Sequence, residues 1–195
     1  MSSNKNIVWK FTNGIELNEK EFCEYVERKF FKTIRRYELL KGYGKTFAGY
    51  GTGYTAAVVL VCDLDDKCLK EFRRELHKIL NDCHPKPLTR FCIAIEEGEA
   101  WFLGDRNAIM RAYPNAKEDV LDQYSQDEIC GTWELLADAI FPGGAITLSE
   151  KGYHIVGQEK FRWAENISPH MTIESNESTS FDYFMKKLTE LSQTE

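Results

Sequence analysis

The sequence predicts an α/β fold with a mostly parallel β-sheet, and three observations carry this prediction. Two apolar runs, at residues 56–61 and 90–95, lack the alternation of a half-exposed strand, as strands buried on both faces do. Apolar residues recur at helical spacing between the runs, over residues 67–80, where Asp66 is the expected N-cap. A further helix is predicted to begin near Glu99. Strand–helix–strand–helix alternation is typical of parallel sheets covered by helices.

The rest of the chain predicts mainly helices and connections. The other expected elements are a strand at 7–11, a helix over 19–31 capped by Asn18, a flexible glycine-rich connection at 42–54, amphipathic helices at 133–140 and 181–191, and a break at 141–144. We expect one domain over residues 1–195, with an α/β core at 1–112 and a more helical C-terminal extension at 113–195.

Composition limits the classes of protein to consider. The chain has 195 residues, 43% of them hydrophobic, which is enough for one well-packed core. A net charge of −6 argues against a generally basic nucleic-acid binder, although a local basic face is compatible with it. The six cysteines form no CxxC pair, and there is no apolar run near 18 residues and no signal peptide. We therefore expect a reduced, cytoplasmic, soluble protein with no membrane partner; an oligomer is possible.

Carboxylates follow both predicted strands where each strand ends. Asp63 and Asp65 follow the first strand, and Glu96 and Glu99 follow the second. Parallel neighbours would bring these side chains to one edge of the sheet, where ligands gather in such folds. Carboxylate oxygens suit Mg²⁺ or Mn²⁺, so these four residues are the expected metal ligands. The alternative is that acids after strands simply cap the next helix.

Three basic residues are candidates for binding a substrate phosphate. Gly44 and Lys45 resemble the end of a phosphate-binding loop, but the full pattern needs a glycine where Leu39 stands, so we reject nucleotide binding of that type. Lys45 can still neutralise a phosphate near the acidic edge, and Arg35 and Arg36 can position a phosphate backbone. The alternative for all three is a solvated surface charge.

The acidic pair and a downstream block resemble a known family. Asp63-Leu64-Asp65 after a buried strand resembles the acidic pair of TOPRIM domains, the metal-binding module of topoisomerases, primases and OLD-family nucleases. The block FCIAIEEGEAWFLGD at 91–105 is similar to the "AxEExEAWxLxD" block of a bacterial family of unknown function with TOPRIM-like character, the RloG-like proteins. The segments 131–134, 163–171 and 176–181 are also similar, so the resemblance covers roughly residues 55–190.

This resemblance implies a TOPRIM-like fold and two alternative functions. The first is a Mg²⁺-dependent nuclease effector of an anti-phage or restriction-type defence system, acting on nucleic acid beside a partner ATPase encoded nearby. Its catalytic residues would be Asp63, Asp65 and Glu16, the last replacing the glutamate that TOPRIM domains place after their first strand and that this sequence lacks there; alternatively, Glu96 and Glu99 complete the site. The second is a non-catalytic regulatory or binding subunit of an ATPase complex with a degenerate site.

Overall fold

The computed structural model describes residues 8–10, 16–18, 36–48, 57–65, 67–127 and 131–193. Its strands are β1 (Val8–Lys10), β2 (Glu16–Asn18), β3 (Ala57–Asp63) and β4 (Leu88–Ala94). Its first helices are α1 (Arg36–Ala48), α2 (Leu69–Leu80), α3 (Glu99–Leu103), α4 (Arg106–Ala112) and α5 (Glu118–Leu121). They are followed by α6 (Thr132–Ile140), α7 (Gly144–Glu150), α8 (Tyr153–Ile167), a 3₁₀ turn (Ser168–His170) and α9 (Thr179–Ser192).

The described strands form two small sheets. β1 and β2 pair antiparallel, with Lys10 opposite Glu16. β3 and β4 pair parallel, in a register that runs from Ala57 opposite Leu88 to Asp63 opposite Ala94. The predicted mixed α/β class and the parallel pairing of the two apolar runs are therefore confirmed, and within the described ranges the parallel sheet has two strands.

Helices cover both faces of the parallel sheet. On one face α1 and α2 bury Leu40, Phe72 and Leu76 against Val58 and Phe91. Strand side chains alternate between faces, so Cys92 and Ala94 point to the opposite side, where they pack with Trp101 and Phe184 of α9. The C-terminal helix α9 thus packs against the sheet. The residues between β4 and α9 form a separate helical core. That core comprises mainly Leu103, Ile109, Leu121, Leu136, Leu148, Trp163 and Ile167.

Hydrogen bonds fix the start of α9 against α3. Trp101 Nε1 donates to Ser180 Oγ at 2.8 Å, and Asn176 Nδ2 donates to the Trp101 carbonyl oxygen at 2.8 Å. The Trp101 ring also stacks on Phe184, with centroids 5.1 Å apart. Because the indole N–H is buried, its bond to Ser180 avoids the penalty of an unsatisfied donor and fixes the rotation of α9.

The glycine-rich stretch is where the sequence-based expectation fails most clearly. α1 runs through Gly42 and Gly44 to Ala48, whereas the sequence predicts a flexible connection from residue 42 onward. Gly44 is buried, and a Cβ at this position would lie 2.7 Å from Leu80 Cδ2 and 2.9 Å from Cys83 Sγ. This glycine therefore permits close packing of α1 on the end of α2, and packing outweighs the low helix propensity of glycine.

The ends of other predicted elements fall as follows. The helix expected from residue 67 begins at Leu69, and its N-cap is Cys68; the predicted cap, Asp66, lies outside the described residues. Asn18 ends β2, and the helix predicted over 19–31 lies outside the described residues. The predicted break at 141–144 is confirmed, because α6 ends at Ile140 and a left-handed Gly143 precedes α7. No helix in the described ranges is long and apolar enough to cross a membrane.

Gly44→Ala and Gly42→Ala form a matched test of the close packing of α1. A Cβ at Gly42 would have no atom within 4 Å, so alanine there should raise the free energy of unfolding by about 0.5–1 kcal/mol through helix propensity. Alanine at Gly44 should instead lower it, because Leu80 and Cys83 are buried and overpacking costs about 1–3 kcal/mol. Urea denaturation measures both; equal stabilisation by the two variants would contradict the packing.

Candidate functional site

The parallel pairing continues beyond the strands into two acidic turns. The Leu64 amide donates to the Ala94 carbonyl oxygen at 3.0 Å, and the Asp65 amide donates to the Glu96 carbonyl oxygen at 2.9 Å. Asp65 and Glu96 both adopt positive φ, 54° and 65°, which turns the chain sharply after each strand. The carboxyl ends of β3 and β4 therefore lie side by side, as predicted from the sequence.

A buried ion pair lies at this edge of the sheet. Glu99, the first residue of α3, is fully buried, and Lys160 Nζ of α8 lies 3.2 Å from its Oε1. Lys160 Nζ also lies 3.8 Å from Glu97 Oε1 and 5.9 Å from the centre of the Trp133 ring. Glu99 Oε2 is buried and accepts no hydrogen bond from the described residues. A single ammonium thus lies between two carboxylates, and one carboxylate oxygen is left for a further ligand.

Glu97 is held in place by the start of α6. Its Oε2 accepts from Thr132 Oγ1 at 3.0 Å and from the Trp133 amide at 3.3 Å. The first amides of a helix have no partners within the helix, and negative charge near them is favourable. Glu97 therefore caps a helix from another part of the chain, and not the next helix, as the alternative interpretation expected.

Burial and charge shift the pKa values of the ion pair. Burial raises the pKa of Glu99 to about 7; Lys160 opposes this shift, and the negative charges of Glu97 and Asp63 add to it. Burial would by itself lower the pKa of Lys160, but Glu99, Glu97 and Asp63 outweigh it, so this pKa is raised. Asp63 raises the pKa of both groups, so the end of β3 interacts electrostatically with Glu99 and Lys160. A carboxyl group with a pKa near neutrality can take up or release a proton at physiological pH.

The four predicted metal ligands all lie at this edge but differ in surroundings. Asp63 is half-buried at the end of β3, Asp65 is exposed, Glu96 is half-buried and Glu99 is buried. Within the described ranges, no three histidine, cysteine or acidic side chains are grouped so as to hold a metal ion. Mg²⁺ commonly uses only one or two carboxylates, with water and substrate phosphates completing its shell. The oxygens of Asp63 and Glu99 fit that chemistry, and the metal site stays a prediction.

The other predicted site residues lie elsewhere. Glu16 begins β2, and Arg36 begins α1, while Arg35 lies outside the described residues. Lys45 is exposed in the last turn of α1, next to Gly44, whose neighbours include Leu80 at the end of α2. The structure therefore does not place these basic residues beside Glu99 or Lys160. Their roles in catalysis and phosphate binding stay predictions.

Lys160 is the residue that the sequence interpretation missed. It lies more than 60 positions after Glu97 and just before the similar segment that begins at residue 163. A signal was nevertheless present, because Val156, Trp163 and Ile167 form the buried stripe of α8 and Lys160 has the same helical spacing. A lysine at a core-facing helical position requires a buried anion as partner.

Other residues of the block at 91–105, which we call the Glu-Ala-Trp block, support the framework of the site. Trp101 fixes α9 through Ser180. Asp105 is buried and caps α4 by accepting from the Ala108 amide at 3.0 Å, and its other oxygen accepts from the Thr172 amide at 2.9 Å. The block therefore joins α3, α4 and the segment before α9 into one framework around Glu99.

Comparisons with protein-family models, with curated proteins and with solved structures found no match to this chain.

Glu99→Gln tests the ionisation of the buried carboxyl group. The pKa of Glu99 in the fold, about 7, exceeds the ordinary value of 4.5, so the fold favours the protonated form. Its contribution to stability is complete below about pH 4.5 and is lost as the pH rises to 7. Glutamine does not titrate, so the variant should gain roughly 3 kcal/mol relative to wild type across this window, at about 1.4 kcal/mol per pKa unit.

Denaturant titrations at several pH values measure this difference. Glu165→Gln, which removes an exposed carboxyl group from the same helix as Lys160, is the control and should follow wild type throughout. Parallel stability curves for wild type and Glu99→Gln would show that Glu99 titrates normally.

Proposed function

We propose that this chain is a divalent-metal-dependent phosphodiesterase with a TOPRIM-like fold, acting as a nuclease. The observation that carries the proposal is the buried ion pair of Glu99 and Lys160 at the carboxyl edge of two parallel strands, where the charge of Asp63 acts on it. Ligand sites of parallel α/β folds lie at this edge. The combination of hard oxygen ligands, a titratable carboxyl group and a cation matches what phosphodiester hydrolysis requires.

Each of the three side chains has a role in this proposal. Asp63 would hold a Mg²⁺ or Mn²⁺ ion, with Asp65 and Glu96 as further candidate ligands. Such an ion, when bound, polarises a phosphoryl oxygen and lowers the pKa of water. Lys160 would contact a non-bridging phosphate oxygen, and Glu99, with its pKa near 7, would accept a proton from the attacking water. Thr132 keeps Glu97 turned toward α6, so Glu97 stays beside Lys160.

The resemblance to the RloG-like family adds a biological setting to the proposal. The chain would be the effector of a bacterial defence system, with nucleic acid as substrate and a neighbouring ATPase as its regulator. The assay should therefore include an ATPase encoded beside this chain, because a regulated effector can be silent alone.

A second candidate function rests on the ion pair itself. Lys160 already supplies the positive charge that a metal ion would bring to Glu97 and Glu99. A protein in which a lysine takes the place of the metal ion would keep the fold but lack metal-dependent cleavage. This observation favours a non-catalytic subunit that binds and regulates an ATPase.

Asp63→Asn separates the two candidates. As a nuclease, the variant should keep its fold, lose Mn²⁺ binding in calorimetry and lose metal-dependent cleavage of labelled DNA and RNA, because one ligand charge disappears at nearly constant volume. Glu99→Gln should slow cleavage by about 10²–10⁴-fold, as expected for the loss of a general base.

Asp119→Asn, an exposed change on α5, is the matched control and should behave as wild type. If wild type binds no Mn²⁺ at millimolar concentration and Asp63→Asn alters no cleavage, the nuclease proposal fails. An unchanged effect of Asp63→Asn protein on the partner's ATPase rate would then support the binding subunit.

A further inference from the structure

Basic side chains gather around Tyr183 of α9, which packs against the sheet. Arg73 of α2 lies with Cζ 5.1 Å from the centre of the Tyr183 ring, and Lys187 of α9 lies with Nζ 5.4 Å from it. Arg90, near the start of β4, adds its charge to the same region, because Arg73, Arg90 and Lys187 all lower the pKa of Cys92, which burial raises to about 12. We call Arg73, Arg90 and Lys187 the basic cluster.

Arg90 has an unsatisfied donor within this cluster. Its Nη1 donates to the Thr89 carbonyl oxygen at 3.1 Å, but its buried Nε has no acceptor among the described residues. A buried donor without an acceptor loses its hydrogen bond to water without replacement, and the penalty is larger on a charged group. An anionic ligand that reaches Arg90 would remove this penalty.

The cluster also carries excess positive charge. Lys187 pairs with Glu190 at 2.6 Å, but neither Arg73 nor Arg90 forms an ion pair with any described residue. Lys187, Arg90 and Lys186 together lower the pKa of Glu190, so Lys186 adds a further cation to this region. Such an excess of cations is unexpected in a chain of net charge −6. Guanidinium groups are the preferred partners of phosphate oxygens.

We infer that the basic cluster binds the phosphodiester backbone of a nucleic-acid strand whose scissile bond lies at the acidic edge. This inference rests on the proposed nuclease function for its choice of ligand. Four positions of β4 separate Arg90 from Ala94, after which the turn toward Glu99 begins, so about 13 Å of strand divides Arg90 from the acidic edge. A ligand that reaches both Arg90 and the acidic edge is therefore a strand of several nucleotides rather than a single nucleotide.

Binding is tested first without cleavage. Fluorescence anisotropy of a labelled single-stranded 12-mer in EDTA measures affinity as salt is varied. Arg73→Gln and Lys187→Gln should each weaken binding about 3–10-fold and reduce the log–log salt slope by about 0.7, the value for one phosphate contact on a single strand. Arg111→Gln, an exposed charge change on α4, is the control and should leave both unchanged. Arg90→Gln is a further variant, to be used where circular dichroism shows an intact fold.

Cleavage supplies the length dependence. With the 12-mer, Arg73→Gln should raise KM and leave kcat unchanged, whereas a dinucleotide should be cleaved equally by the variant and wild type. Equal 12-mer affinity and salt slope for Arg73→Gln and Arg111→Gln would overturn the inference. Displacement of the 12-mer by polyglutamate of equal charge at the same concentration would overturn the assignment to nucleic acid.

The two proposals fail separately. A protein that binds the 12-mer through the cluster but cleaves nothing, with or without the partner ATPase, refutes the nuclease function and keeps the binding surface. A protein that cleaves with unchanged KM in Arg73→Gln keeps the nuclease function and refutes the surface.

Discussion

The register between β3 and β4 is the constraint on which the rest of the site depends. Because Asp63 lies opposite Ala94, both strands end at the same level and both acidic turns leave the sheet at one edge. A shift of one residue would turn Val58 out of the core and send Asp63 to the opposite face. The packing of Val58 and Phe91 beneath α2 therefore sets the position of charged groups that make no contact with that core.

Several acids so close together need positive charge, and the fold supplies it from two distant helices. α6 offers its first amides to Glu97, and α8 offers the ammonium of Lys160 to Glu97 and Glu99. Burial still dominates at Glu99, whose pKa is raised in spite of the neighbouring lysine. A further cation near Glu99 would lower the pKa of this carboxyl group, which would then change from the protonated to the ionised form.

The sequence was sufficient for the local features and for the strand pairing. Apolar runs, helical spacing and the break after Ile140 all follow from patterns within a few residues, and two acid-ended runs with a helix between them indicate parallel neighbours. The helix through Gly44 could not be predicted in this way, since its stability comes from contact with Leu80 and Cys83 rather than from propensity. Lys160 was not predicted for a related reason. Its ion-pair partner is on another element, and only its position in the buried stripe of α8 indicates its role.

The C-terminal helix connects the two ends of the sheet. Near its start, Ser180 Oγ accepts from Trp101 Nε1 and, at 3.4 Å, from the Ile95 amide, directly beside the acidic turn. Over its next two turns the same helix carries Tyr183 and Lys187 to the basic cluster. A rigid helix fixes both contacts at once, so the bond from Trp101 to Ser180 also sets where Lys187 lies along β4. The Glu-Ala-Trp block thus contains, within three residues, the ionisable Glu99 and Trp101, whose bond to Ser180 aligns the basic cluster with Glu99.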